Sequence, residues 1–176
     1  MLEKIGIIDS KTKMIDTLMN NMFSATLEEL EVLKISPSIE QTTIIKNMFE
    51  EINYYNRIVF LNEVPEYLIY VDKLRLTQAI DNIINNSYKY ANTEIHVSFE
   101  NNDDGLIIII RDFGNGCDES ELALITEKFH RGKNSSNESG SGLGLYLAKQ
   151  FLEGMKGSLL VENDNGFVVT LFLRKV

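Results

Sequence analysis

At 176 residues with 44% hydrophobic side chains, the chain can bury one substantial core, or one core plus a small helical appendage. A formal net charge of -9 and a pI near 4.8 exclude a nucleic-acid partner, since binding a phosphate backbone wants a basic face; any phosphate held here must be held locally. The single cysteine, Cys117, excludes a disulfide framework and a multi-cysteine metal site, and fits a reducing compartment. No apolar run reaches membrane-spanning length and no leader pattern opens the chain, so the expectation is a cytoplasmic stretch whose parent protein is free to be membrane-anchored.

Met14, Ile15, Leu18, Met22, Leu27, Leu30 and Leu33 recur at helical spacing across residues 9–34 with no Pro or Gly, which predicts one amphipathic helix. Ser36-Pro37-Ser38 ends it. Its apolar stripe packs either on the rest of the chain or against another chain. A second helix is predicted over residues 40–54, with Ile44, Ile45, Met48, Phe49 and Ile52 inward, and short strands over 57–61 and 67–70. Asp72 then precedes a long helix to Tyr90. Residues 94–100 alternate in polarity, while residues 106–111, with four consecutive isoleucines, read as a strand buried on both faces; Asn101 to Gly105 turn between the two. Helices are predicted over 119–126 and 143–154, a polar loop over 132–140, and a closing hairpin of strands 158–162 and 167–174 around Asn163-Asp164-Asn165-Gly166. The expected architecture is α+β: a two-layer α/β sandwich with a mixed, mostly antiparallel sheet, helices on one face, and a helix in front.

The long helix carries two stripes. At 100° per residue, Leu76, Ile80, Ile83, Ile84 and Ala91 gather on a core side, whereas Arg75, Gln78, Asn82, Asn86 and Lys89 gather on another. Amide side chains are poor helix formers, so stacking them is either a solvated face or a site. A carboxamide oxygen is a hard neutral ligand suited to Mg²⁺, an ion that takes its other ligands from phosphates and water. Lys89, a turn beyond, can then reach phosphate.

Two glycine motifs lie downstream. Gly140-Ser141-Gly142-Leu143-Gly144-Leu145 opens a helix: alternate glycines let main-chain N–H groups turn toward an anion, and the helix start adds its positive dipole end. Alone, such a run also describes a tight turn before a helix. With Asp112-Phe113-Gly114-Asn115-Gly116 upstream of it, a triphosphate cradle is the better reading.

This set resembles the catalytic and ATP-binding domain of sensor histidine kinases, in the superfamily shared with gyrase-type ATPases, the heat-shock chaperone and the mismatch-repair ATPase. The resemblance covers residues 40–176 well and 9–36 more loosely. It implies a Bergerat-type fold over residues 39–176, preceded in 1–38 by the second helix of a dimerisation and phospho-acceptor unit. The segment from Asp72 through Asn82 and Asn86 to Tyr90 is similar to the N box, which implies Asn86 as Mg²⁺ ligand, Asn82 and Lys89 in catalysis, and Lys89 and Tyr90 near the phosphates. Asp112, Gly114 and Gly116 match the first glycine box, where Asp112 is expected to accept from the adenine amino group. Guanine presents an oxygen there, so ATP is expected over GTP. Lys128-Phe129-His130-Arg131 resembles the F box, with Phe129 as lid anchor and Arg131 at phosphate, and Gly140, Ser141, Gly142, Leu143 and Gly144 match the second glycine box. Thr126, where the F box usually carries another Phe, and Cys117, where an aliphatic residue usually follows, depart from the pattern; both bear on lid packing or the adenine pocket, and neither removes a phosphate or metal contact.

Position 82 discriminates within the superfamily. Hydrolysing relatives place a Glu there as general base, and Asn82 cannot take a proton at neutral pH, which favours transfer of the γ-phosphoryl to a protein acceptor over hydrolysis. Neither His96, on an alternating strand, nor His130, in the F box, suits the acceptor. The acceptor helix is therefore expected outside this chain, with a response regulator downstream and a homodimer formed through the N-terminal helix of the full-length protein. The rival readings are an anti-sigma-type Ser/Thr kinase, against which the long leading helix counts, a nucleotide-binding module without transfer activity, and a gyrase-like ATPase, which Asn82 and the acidic charge disfavour. Residues 130–140, too polar to bury themselves, are expected to form a lid that orders over nucleotide.

Overall fold

The computed structural model describes residues 34–130 and 142–176. The chain divides after Lys34 into two units, and the second, Ile35–Val176, carries every element below. The helix predicted over 9–34 lies, apart from Lys34, outside the described residues. Among the described residues no helix is long and apolar enough to cross a membrane.

The elements run β1 (Ser38–Gln41), α1 (Ile44–Glu51), β2 (Ile58–Phe60), β3 (Leu68–Val71), α2 (Lys73–Tyr90), β4 (Ile95–Asn101), β5 (Gly105–Asp112), a single 3-10 turn (Glu119–Glu121), α3 (Gly144–Gly154), β6 (Ser158–Asn163) and β7 (Phe167–Arg174). A five-stranded sheet has the order β2-β4-β5-β7-β6, with β2 parallel to β4 and every other pairing antiparallel. This is the expected mixed, mostly antiparallel sheet. Ile95, Val97 and Phe99 of β4, Leu106, Ile108 and Ile110 of β5, and Val169, Leu171 and Leu173 of β7 are buried and share one face through the cross-strand register, and they form the core with the apolar stripes of the helices. At one end of that core Phe49 of α1 meets Phe60 and Phe99 edge to face, at ring separations of 6.0 and 6.5 Å.

Three sequence expectations are corrected. Residues 38–41, whose last two positions were expected to open the helix over 40–54, form a strand, because Ser38–Gln41 pairs antiparallel with β3 in a separate two-stranded sheet. Thr42 locks the change of direction: its hydroxyl donates to Pro65 O (2.6 Å) and accepts from Tyr67 N (3.2 Å). The helix expected over 119–126 is one 3-10 turn followed by further turns, stepped mainly by bonds three residues apart, Glu121 N to Asp118 O, Leu124 N to Glu121 O and Glu127 N to Leu124 O, with one four-residue bond, Ile125 N to Glu121 O. Finally, β5 is buried on one face only; Ile107 and Ile109 point away from the helical layer and are half-buried.

Candidate functional site around the second helix

Helix α2 is started by Asp72, whose Oδ1 accepts from Arg75 N (3.1 Å) while Oδ2 accepts from Ser36 N (2.8 Å). Its core stripe is Leu76, Ala79, Ile80, Ile83, Ile84 and Ser87, all buried. The helix ends where Ala91 N and Asn92 N both donate to Ser87 O (3.0 Å each), with Asn92 in the left-handed region at φ +55 that an asparagine tolerates. Outside the stripe, Asn82 and Asn86 stand one turn apart on one side, both half-buried. Lys89 donates from Nζ to the Tyr90 hydroxyl (3.1 Å) and lies 4.7 Å from its ring centre; Tyr90 itself is exposed.

The turn after β5 packs against the C-terminal end of this helix. Asp112 is only 4% exposed, and its Oδ1 accepts from Gly114 N (3.0 Å) and Phe167 N (3.2 Å). Both main-chain donors converge on one oxygen, which fixes the carboxylate plane and leaves Oδ2 for a further donor. A Cβ on Gly114 would stand 2.6 Å from Ala91 Cβ and 2.9 Å from Ala91 Cα, so only glycine lets the turn approach the helix end this closely. Gly116 has φ +66.

The second glycine motif meets the other end of the same amide face. A Cβ built on Gly144, the first residue of α3, would lie 3.7 Å from Asn82 Cβ, Cγ and Oδ1. Gly142, at φ +70, accepts from Phe129 N (3.1 Å), and Phe129 is itself left-handed at φ +63. The two form a clasp at the base of the intervening segment. Leu143 is buried, so its side chain belongs to the core and only its main chain is available to a ligand. Arg131, Gly140 and Ser141 lie outside the described residues.

Nine residues of α2 therefore separate Asn82, beside Gly144, from Ala91, beside Gly114, a helical span of about 14 Å at 1.5 Å per residue. Asn86 lies between. The structure thus brings Asn82, Asn86, Asp112, Gly114, Gly142 and Gly144 around one helix segment. At one end an added Cβ on Gly142 would meet the main chain of His130 and Phe129 at 2.7 and 2.8 Å, so the backbone there is closely packed, and at the other end Asp112 stands as a buried acceptor.

Sequence reasoning missed Asn163, which reads from the sequence as a hairpin residue. Its Oδ1 accepts from Cys117 N (3.1 Å), and its Nδ2 donates to Cys117 O (2.7 Å) and to Glu119 Oε1 (2.9 Å). That carboxamide mimics a paired strand and holds the exit of the first glycine motif. The only available signal was an Asn at the end of β6, which is weak. Burial pushes the Cys117 thiol above its ordinary value, and Glu121, Glu119 and Asp118 add to the shift.

Residues 71–176 match the model of the family described as histidine kinase-, DNA gyrase B-, and HSP90-like ATPase, and the chain belongs to that family. The sensor protein RprX of Bacteroides fragilis is 26% identical over 186 residues, covering 97% of this chain and 36% of that protein. The sensor histidine kinase WalK of Bacillus subtilis is 28% identical over 129 residues, covering 69% of this chain and 21% of that protein. The chain thus spans about a third or less of the length of these relatives. Among solved structures, the ATP binding domain of PrrB from Mycobacterium tuberculosis superposes with a TM-score of 0.64 at 23% identity, over 80% of this chain and 98% of that one. The likeness shows the fold: an α+β sandwich of the kind the motifs implied.

Proposed function

We propose that residues 39–176 are the catalytic, ATP-binding part of a two-component sensor histidine kinase, passing the γ-phosphoryl group of ATP to a histidine on a dimerisation helix. The observation that carries this reading is the convergence of both glycine motifs on the amide-bearing half of α2, Gly144 on Asn82 and Gly114 on Ala91. In this reading Asp112 accepts from the adenine amino group, and a base with a carbonyl at that position would face a second acceptor across the bond. Main-chain N–H groups at Gly142 to Gly144 and the positive end of α3 hold the phosphates, helped by Lys89, Tyr90 and, carried over from the motif, Arg131, Gly140 and Ser141. Phe129, fixed to Gly142, anchors the lid.

Asn86 offers a neutral oxygen for Mg²⁺, with Asn82 one turn away. When bound, that ion neutralises charge on the transferring phosphoryl group. The chain's own contribution is positioning, and Asn82 supplies no base that would activate water. Both histidines of the chain are poorly placed to accept. His96 sits on β4 with Nε2 3.5 Å from Glu94 Oε2 and its ring 4.7 Å from that of Phe113, and the His130 Nε2 is buried without a hydrogen-bond partner. The acceptor is thus supplied by a partner helix, with a response regulator receiving the phosphoryl group next. The relatives' names, sensor protein and sensor histidine kinase, support the same reading.

The test mixes this protein with γ-labelled ATP, Mg²⁺ and a separately produced dimerisation domain from a sensor kinase. Label on the histidine of that domain, lost on Asn86→Ala, supports the proposal. Tight ATP binding with no label would leave a nucleotide-binding module instead, and label on Ser or Thr would favour the anti-sigma type.

A further inference from the structure

Helix α2 has a second flank. Asn85, Tyr88, Lys89 and Asn92 form one stripe, spaced three, one and three residues apart, and with Tyr55 and Arg57 from the connection between α1 and β2 they line an open pocket of about 320 Å³. Asn82 and Asn86 face elsewhere: Asn82 meets the start of α3, and Asn86 shares its side of the helix. Lys89 alone belongs to both descriptions.

The pocket is built rather than incidental. Asn53 Oδ1 accepts from Arg57 N (2.9 Å), Ile58 N (3.2 Å) and the Tyr88 hydroxyl (3.2 Å), which ties the pocket wall to the helix. The Tyr55 and Tyr88 rings meet edge to face at 4.8 Å, and the Arg57 guanidinium lies 6.0 Å from the Tyr55 ring centre. Arg57 Nη1 also donates to Asn92 Oδ1, so the Asn92 oxygen is occupied and its amide nitrogen is left as a donor. Two cations and oriented amide donors thus line a pocket that includes no carboxylate among the described residues, in a chain of net charge -9. A preset guanidinium fork is the geometry that recognises phosphate or carboxylate oxygens, and a dianion matches two cations better than a monoanion does.

We propose that this pocket is a second anion site, which takes a phosphoryl dianion, either free phosphate or the phosphate of a small monoester, at a place distinct from the nucleotide pocket and sharing only Lys89 with it. Arg57 and Lys89 supply charge, Asn92 and Asn85 supply amide donors, and the two tyrosines supply a wall on which the organic part of a monoester rests. Phosphate here would sit one helix flank away from Asn82 and Asn86, with Lys89 between the two sites. The proposal does not depend on the assignment of a histidine acceptor.

The experiment uses the whole chain, titrated with inorganic phosphate and, separately, with phenyl phosphate, against sodium chloride at matched ionic strength, with ¹H–¹⁵N spectra resolving Arg57 and Asn92. Saturable shifts at Arg57, Asn92 and Tyr55 are expected. Arg57→Gln should weaken them by about tenfold or more, the loss of a hydrogen bond to a charged group. Asn85→Asp, at an exposed helix position, should abolish them while leaving the fold intact, and Asp112→Asn should leave them unchanged. Tighter binding of phenyl phosphate assigns the source as a monoester, and equal binding assigns free phosphate. Non-saturating shifts, saturation unaltered by both pocket variants, or shifts confined to Asn86 and Gly144 would overturn the proposal. The nucleotide reading would stand in each of those cases.

Discussion

Two glycines of one motif should respond to the same substitution in opposite ways. At Gly142 an alanine must hold φ +70 and place its Cβ 2.7 Å from His130 O and 2.8 Å from Phe129 C, both main-chain atoms that cannot swing aside. The left-handed backbone costs about 1–2 kcal/mol and the overpacking about 1–3 kcal/mol, so Gly142→Ala should destabilise by roughly 2–5 kcal/mol. At Gly144 the nearest atoms to the new Cβ are those of Asn82 at 3.7 Å, ordinary contact distance, and the position begins a helix. Gly144→Ala should therefore leave stability unchanged or raise it by up to about 1 kcal/mol through the unfolded chain. Its Cβ would instead fill the approach to the first turn of α3, so ATP affinity should fall although the fold gains. Thermal melts followed by circular dichroism, paired with ATP titration calorimetry, read both effects. With about 2–4 °C of melting temperature per kcal/mol in a domain of this size, the two variants should separate by several degrees. If Gly144→Ala melts as low as Gly142→Ala, or binds ATP as well as the parent, the placement of this motif beside the phosphates is wrong.

Asp112→Asn keeps an oxygen for Gly114 N and Phe167 N but replaces the remaining acceptor with a donor, so ATP binding should weaken by roughly 1.5–3 kcal/mol while GTP binding does not; equal effects on both in calorimetry would remove the adenine assignment. Asn163→Ala strips Cys117 of both its amide partners and should cost about 1–3 kcal/mol in urea unfolding, with ATP affinity falling alongside; unchanged affinity in a folded variant would deny it a positioning role. Because burial and three neighbouring carboxylates disfavour the thiolate, Cys117 should remain a thiol through neutral pH and alkylate only as pH rises above the usual thiol range. Iodoacetamide rates against pH, measured on the native chain and in urea, check this; a native curve at or below the denatured one contradicts it.

The parts of the fold that could be read from the sequence were those whose signal is local. Helix α2 announces itself through Asp72, an uninterrupted run to Tyr90, and apolar residues at three- and four-residue spacing, and the glycine motifs declare close main-chain approach. Strand β1 has no such signal: Ser38–Gln41 is extended because β3 pairs with it and because Thr42 bonds to Pro65 and Tyr67 far along the chain. Tertiary pairing overrode local pattern there. Residues 119–126 suggested a helix, yet most of their main-chain bonds step in threes, as Leu124 N to Glu121 O and Glu127 N to Leu124 O do, and only Ile125 N reaches four residues back to Glu121 O. Four consecutive isoleucines implied two buried faces, but burial depends on how many layers cover the sheet, and a strand's composition does not count layers. Asn163 was hidden because its partner, Cys117, is 46 residues away.

The amide face of α2 also gives the proposed function a physical route by which an acidic chain could hold a triphosphate. Three asparagines at 82, 85 and 86 together cost roughly 2 kcal/mol of helix propensity relative to alanine. Burying any two of Leu76, Ile80, Ile83 and Ile84, all fully inside, outweighs that at about 1.5–3 kcal/mol each. The core stripe therefore sets the helix, and the opposite face is free to be chosen for chemistry. What it carries is neutral oxygen at 82 and 86 rather than carboxylate, so it can approach phosphate oxygens and a divalent cation without adding negative charge. If the proposed contacts hold, with main-chain N–H groups, the start of α3 and Lys89 meeting the phosphates, the pocket needs no basic surface despite a net charge of -9.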